Sequence, residues 1–340
     1  MILGDNITGR KNNLDLIRFL AAAMVIYAHA YPLVLGESGA DPLVRFSDGQ
    51  MSFGSLGVCI LFLFSGFFIT KSVLHKGSAR DFFTARILRL FPPLIAVVLA
   101  CVFVLGPLMT ELPVDAYFSS SQTWKYLANI CFVPVHELPG VFLQNPYDAT
   151  VNGVFWTLLV EVFCYVACFL FGKMRLLDEK KMCFTIPIMA ALYILGFVVF
   201  RDVPVLTARF RPCGMFYAGM LAYVYRNKIR LHPAGAAGGL ALFLFGLRMG
   251  FLEQLLLLSL PYPLLFLAFG TKKKLDGFAR HGEISYGMYL TAWPVAQCLV
   301  QWLGSEISIY IHVLLTFVLS VLFGLILCRL VEKPIQRLRK

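Results

Sequence analysis

An arginine, a histidine and a glutamate stand in stretches of this 340-residue chain that are otherwise apolar, and their spacing suits them to chemistry. Arg18 and His29 are eleven residues apart. In an α-helix eleven steps make three turns plus ~20°, so both side chains leave one face, ~16 Å apart along the axis. Asp15, three residues before Arg18, joins that stripe. Trp156 and Glu161 belong to a second apolar stretch. If the two stretches cross a bilayer in opposite directions, His29 lies ~9 Å and Glu161 ~10 Å from the same side. A buried carboxylate needs a partner or a proton, and His29 is the candidate partner. An imidazole supported by a carboxylate can take a proton from a hydroxyl and hold the charge it gains. Arg86 and Arg89 open a third stretch at about the level of Arg18. Three guanidiniums at one depth present the forked donors that phosphate recognition uses. The pattern therefore offers an anion site at one side of a bilayer and a reaction site towards the other.

Each residue also has a plainer reading. An arginine near a helix end snorkels to lipid headgroups, and Arg86 and Arg89 alone would be topology signals. His29 alone suits a satisfied structural histidine, and Glu161 alone a polar contact between helices. What favours function is the coincidence of depths, because ionisable groups inside spanning segments cost at least a few kcal/mol. Ser65, beside Gly66, marks a close helix contact. Tyr286, Tyr289 and Trp293 share one helix face and read as packing or interface residues. Arg201, Arg209 and Arg211 form a basic trio that either meets an anionic acceptor or flanks its helices; the second reading is preferred. Nine cysteines occur without a CxxC pair, and most sit in apolar runs, as Cys59, Cys101, Cys164, Cys168 and Cys328 do. They read as small buried hydrophobes, with no metal site.

The elements that must position these residues are membrane helices. The chain is 59% hydrophobic and 14% charged, with a mean hydropathy of +0.76, whereas a soluble domain is about 25% charged. Ten apolar runs, 15–35, 55–74, 87–107, 154–172, 183–200, 208–225, 234–249, 251–270, 284–303 and 309–328, are near spanning length. They are too long and too uniform for barrel strands. The expected fold is all-α, a polytopic bundle of about ten transmembrane helices forming one integral-membrane domain over 1–340. The net charge of +11 does not indicate nucleic acid, because the basic residues punctuate the runs rather than forming one patch. With a cytoplasmic N-terminus, 23 of the 30 Lys and Arg fall on the inside, so both termini are expected to be cytoplasmic. Arg10-Lys11 flanks the first run, but Arg18 within it argues against a cleaved leader. The Lys272-Lys273-Lys274 cluster lies inside only if 234–249 and 251–270 are two helices joined near Gly250. The loop 108–153 is external, and its stretch Leu127–Val135 is too short to span.

Six segments in order resemble the acyltransferase 3 family of membrane O-acyltransferases. They are Asn13-Leu14-Asp15-Leu16-Ile17-Arg18 with His29, Phe62–Thr70, Arg86-x-x-Arg89, Phe155–Tyr165, Ile284–Pro294 and Val331-Glu332-Lys333-Pro334. Thr157 stands where the family has Ser, and Ala292 where it often has His. Some relatives add an extracytoplasmic esterase-like domain, which is not expected here. The resemblance implies transfer of an acyl group, most often acetyl, from cytoplasmic acyl-CoA (acetyl-CoA) to a hydroxyl of a cell-surface or lipid-linked glycan at the inner membrane. It makes His29 the catalytic base and Arg18, Arg86 and Arg89 the acyl-CoA contacts. Glu161 would orient His29, with Asp15, Ser65, Trp156, Tyr286 and Tyr289 as candidates for support. Direct transfer and an acyl-His29 intermediate both remain open. A transporter or flippase of a lipid-linked saccharide is the rival class, although no internal repeat is found.

Overall fold

The computed structural model describes residues 1–7, 12–36, 39–75, 78–200, 203–272, 275 and 283–337. Of the 30 Lys and Arg counted for topology, Arg10, Lys11, Lys76, Arg201, Lys273, Lys274, Arg280, Arg339 and Lys340 lie outside the described residues. Within them the fold is all-helical, with two isolated bridges, Ile2 to Arg230 and Thr110 to Val141, and no strand. The ten longest helical stretches among the described residues are α1 (Leu14–Leu35), α2 (Phe53–His75), α3 (Ala79–Met109), α4 (Trp156–Lys173), α5 (Glu179–Val199), α6 (Pro204–Val224), α7 (Pro233–Met249), α8 (Leu252–Gly270), α9 (Ser285–Leu303) and α10 (Ile309–Ile335). Seven of these, all but α6, α7 and α9, are long and apolar enough to cross a membrane.

Local chemistry sets several helix ends. Asp178 caps α5 by accepting from the Lys180 amide at 3.0 Å, as short acidic side chains do at this position. Gly250 ends α7 at φ 79°, a left-handed conformation that favours glycine. The break expected near Gly250 is therefore present, and α8 begins at Leu252. Pro261 and Pro263 lie inside α8, which closes in a π-turn over Phe266–Gly270. One difference concerns α3. It starts at Ala79, so Arg86 and Arg89 sit two or more turns inside the helix and do not open it. A hydrogen-bonded ladder runs through polar residues as readily as through apolar ones; hydropathy marks only the lipid-compatible part.

The chain divides into two compact units. The first comprises Met1–Ala21, Pro42–Phe82 and Val160–His281. Its central contact is α2 against α6. A Cβ on Gly66 would meet the Phe216 carbonyl oxygen at 2.0 Å, and one on Gly219 the Leu63 carbonyl oxygen at the same distance. Without a hydrophobic drive between helices in lipid, such glycines permit the close backbone approach that supplies dispersion energy. The second unit comprises Ala22–Asp41, Phe83–Leu159 and Gly282–Lys340. There α9 and α10 approach through Gly287 and Gly324, where an added Cβ would meet a Cα at 2.9 Å. The stretch 127–135 belongs to this unit and is pinned down. Tyr126 and Asn129 are buried, and the Asn129 amide donates to the Val135 carbonyl at 2.8 Å. The five cysteines expected to be buried are buried free thiols.

Candidate active site

Within the second unit, His29 is partly buried on α1, and its ring packs edge-on against Trp293 of α9, centroids 4.8 Å apart at 71°. Its buried Nδ1 has no hydrogen-bond partner among the described residues. Trp293 itself is locked. Its indole N–H donates to the Thr150 carbonyl at 2.9 Å, and Tyr147 packs on its ring at 5.6 Å. Gln297, one turn along α9 and fully buried, donates to the carbonyls of Asp148 and Thr150 at 3.1 and 3.0 Å. Asn145 donates back to the Gln297 side chain at 2.8 Å, and Asn152 to the Leu290 carbonyl at 2.9 Å. The segment 145–152 is thereby tied to α9 by side-chain bonds, and α9 in turn holds the plane of Trp293 against the imidazole. Trp293 was legible in the sequence only as a packing residue. Gln297 passed unremarked, although a glutamine in a nearly apolar helix is itself a signal.

The same unit carries the two tyrosines. The Tyr289 hydroxyl pairs with that of Thr157 at 2.8 Å, so threonine at 157 keeps the hydroxyl that a serine would supply. Tyr286 donates to the Leu90 carbonyl at 3.0 Å. Trp156 is partly buried at the first position of α4. Arg86 is partly buried on α3. Arg89, one turn on, pairs with Glu283 just before α9, Nη2 to Oε1 at 3.3 Å.

The first unit holds the remaining candidates. Glu161 of α4 accepts from the Ser65 hydroxyl of α2 at 3.3 Å and from the Tyr165 hydroxyl one turn along its own helix. Two hydroxyl donors to one carboxylate fix its orientation. Arg18 stands 3.9 Å from Asp15 and lies over the Phe68 ring at 5.5 Å, a cation–π geometry. Arg18 and His29 are carried by one continuous helix, α1, as their spacing requires. Arg211 is paired with Glu253 of α8, its Nε donating at 2.8 Å, and the Tyr193 hydroxyl donates to the same carboxylate at 3.4 Å. That saturated cluster fits the structural reading of Arg211.

Residues 11–332 match the acyltransferase domain family, and the chain belongs to that family. With its apolar helices this makes it a multi-pass membrane acyltransferase. Two relatives are similar to it. An O-acetyl transferase of Shigella phage Sf6 is 24% identical over 334 residues, 95% of this chain and 96% of the phage protein. Nodulation protein 10 of Rhizobium leguminosarum bv. viciae is 35% identical over 170 residues, 47% of this chain and 43% of that protein. No solved structure matches the chain.

Proposed function

We propose that this protein moves an acyl group, acetyl in the first instance, from cytoplasmic acyl-CoA to a hydroxyl of a cell-surface or lipid-linked glycan. The work takes place in the inner membrane, with both termini cytoplasmic. The observation that carries the reading is His29. In a member of an acyltransferase family, a ring nitrogen inside a spanning helix has no partner among the described residues while an aromatic edge fixes the ring. A buried polar atom left unpaired costs free energy, and an acceptor hydroxyl at the imidazole would recover it. The phage relative, an O-acetyl transferase over nearly its whole length, supports both the acetyl group and the oxygen acceptor.

In this scheme Arg18, Arg86 and Arg89 hold the phosphates of acyl-CoA, and the pantetheine arm extends along α1, whose ~16 Å from Arg18 to His29 it can span. His29 takes the hydroxyl proton as the oxygen attacks the thioester carbonyl. The C–S bond breaks, and the thiolate leaves and is protonated. In the variant route His29 attacks first and carries the acyl group to the acceptor. Glu161, held by Ser65 and Tyr165, is assigned the role of offsetting the positive charge on the imidazole. Asp15 steadies Arg18. Trp156, Tyr286 and Tyr289 are assigned supporting roles around the thioester.

The test is to incubate membranes containing the protein with acetyl-CoA labelled in the acetyl group and to look for label on glycan. Label that depends on His29 is the expected result. Movement of a lipid-linked saccharide across the membrane without acetyl label would instead identify a transporter or flippase.

A further inference from the structure

Arginines facing the cytoplasmic surface of a bilayer have an abundant wrong ligand. Anionic phospholipid headgroups attract basic residues there, and long cationic side chains reach for them. A donor site built on Arg18, Arg86 and Arg89 must therefore choose between a lipid phosphate and acyl-CoA. The surroundings of Arg89 bear on that choice. Its Nη2 donates to both oxygens of Glu283, at 3.3 and 3.5 Å. Both distances are longer than the 2.7–2.9 Å usual for a charge-assisted bond. The two side chains are 42% and 31% exposed, and an exposed pair of this kind contributes little net stability. The Ser285 hydroxyl reaches the same Glu283 oxygen at 3.5 Å, which keeps the carboxylate beside the start of α9. A second carboxylate stands close by. Glu332 is buried, its Oε1 has no hydrogen-bond partner among the described residues, and it lies near enough to Glu283 and Arg89 to feel both charges.

We propose that Glu283 is a specificity-determining residue of the acyl-donor site. It occupies Arg89 until a ligand bearing several phosphate charges displaces it, and so excludes singly charged phospholipid headgroups. The inference rests on the donor site proposed above. The exchange is unequal by charge. A phosphodiester headgroup offers one negative charge in place of the one it removes, against a carboxylate already tethered to the chain. CoA brings a diphosphate and a 3′-phosphate, which engage neighbouring guanidiniums together and outbid the tethered group. The looseness of the Arg89–Glu283 pair makes displacement cheap for a ligand that brings several phosphate charges.

The experiment measures equilibrium binding of labelled acetyl-CoA to the full-length protein in nanodiscs, made either of phosphatidylcholine alone or with phosphatidylglycerol added. For the unaltered protein, affinity is expected to change little between the two lipids. Glu283→Gln is expected to bind about threefold to fivefold more tightly in phosphatidylcholine, the factor an exposed pair can supply. It should lose that gain when phosphatidylglycerol is present. Weaker binding by Glu283→Gln in phosphatidylcholine would mean that the carboxylate holds Arg89 in place for the donor, and would overturn the proposal. So would equal sensitivity of variant and parent to phosphatidylglycerol. Arg89→Ala is the separate control: unchanged acetyl-CoA affinity in that variant would sink the donor site itself, whereas the two preceding outcomes sink only the role given to Glu283.

Discussion

Arg211 with Glu253 in one unit, and His29 with Trp293 in the other, show two opposite ways of keeping a polar group inside a largely apolar helix. Arg211 donates twice to Glu253, and Tyr193 adds a third donor to that carboxylate. Its charge is matched by the Glu253 carboxylate. His29 has an aromatic edge against it and a ring nitrogen with no partner among the described residues. A charge-matched cluster holds helices at fixed spacing, and its charges are already spent on each other. An unsaturated one costs stability, and it persists where neighbours rigid enough to hold it absorb that cost. Here those neighbours are Trp293, Gln297 and the tied segment 145–152. Burial does not distinguish the two, since His29, Arg211 and Glu253 are all partly buried.

The strongest way to break the contrast is to leave Arg211 as unsatisfied as His29. Glu253→Ala should destabilise the protein by about 3 kcal/mol, the scale for stripping one partner from a buried ion pair. Replacing both residues with leucine should restore most of the loss. Thermal unfolding in detergent measures both variants, and equal stability of parent and Glu253→Ala would show the pair to be ornamental. On the other side, His29→Ala should lower acyl transfer by at least about 10²-fold, the smaller end of what a general base supplies, with membrane levels unchanged. Retained activity would end the assignment of the base.

Trp293 sharpens the comparison, because its ring packs directly against His29. Trp293→Leu should reduce kcat about tenfold, as a misplaced catalytic group does, while leaving the KM for acyl-CoA unaltered. Trp293→Phe should recover part of the rate. A change in KM alone would move Trp293 to substrate binding. The smallest effect belongs to Thr157. Thr157→Ser keeps the hydroxyl that meets Tyr289 and should change the rate less than about twofold. Thr157→Val should cost about 1 kcal/mol of stability, the net worth of one hydrogen bond.

Much of the candidate site was legible because it is written along single helices. The Arg18–His29 stripe needs only the helical period and one uninterrupted helix, which α1 provides. The break at Gly250 needs only a glycine between two apolar runs. Glu161 was recognisable as an expensive carboxylate, but its hydroxyl donors were not. Tyr165 lies one turn along the same helix and was within reach of that reasoning. Ser65 is 96 positions away, and spacing cannot join residues so distant. The start of α3 was misjudged because hydropathy reports solvent compatibility, not the first turn of the ladder. For α6, Arg209 and Arg211 dilute an otherwise apolar helix, α7 is short at 17 residues, and α9 is diluted by Gln297, Gln301 and its tyrosines and tryptophans, which is why spanning length and apolarity single out seven helices rather than ten.

The amino-acid order by itself determined the all-helical membrane class, the stripe on α1 and the family motifs. These depend on local periodicity and on the cost of bare backbone in lipid, and both act residue by residue along the chain. Only the tertiary structure decided that Glu161 is held by Ser65 and Tyr165, that Trp293 backs His29, that Glu283 occupies Arg89 and that Arg211 is spent on Glu253. Those pairings join distant segments, and they arise from which helices pack closely enough for a side chain to bridge them.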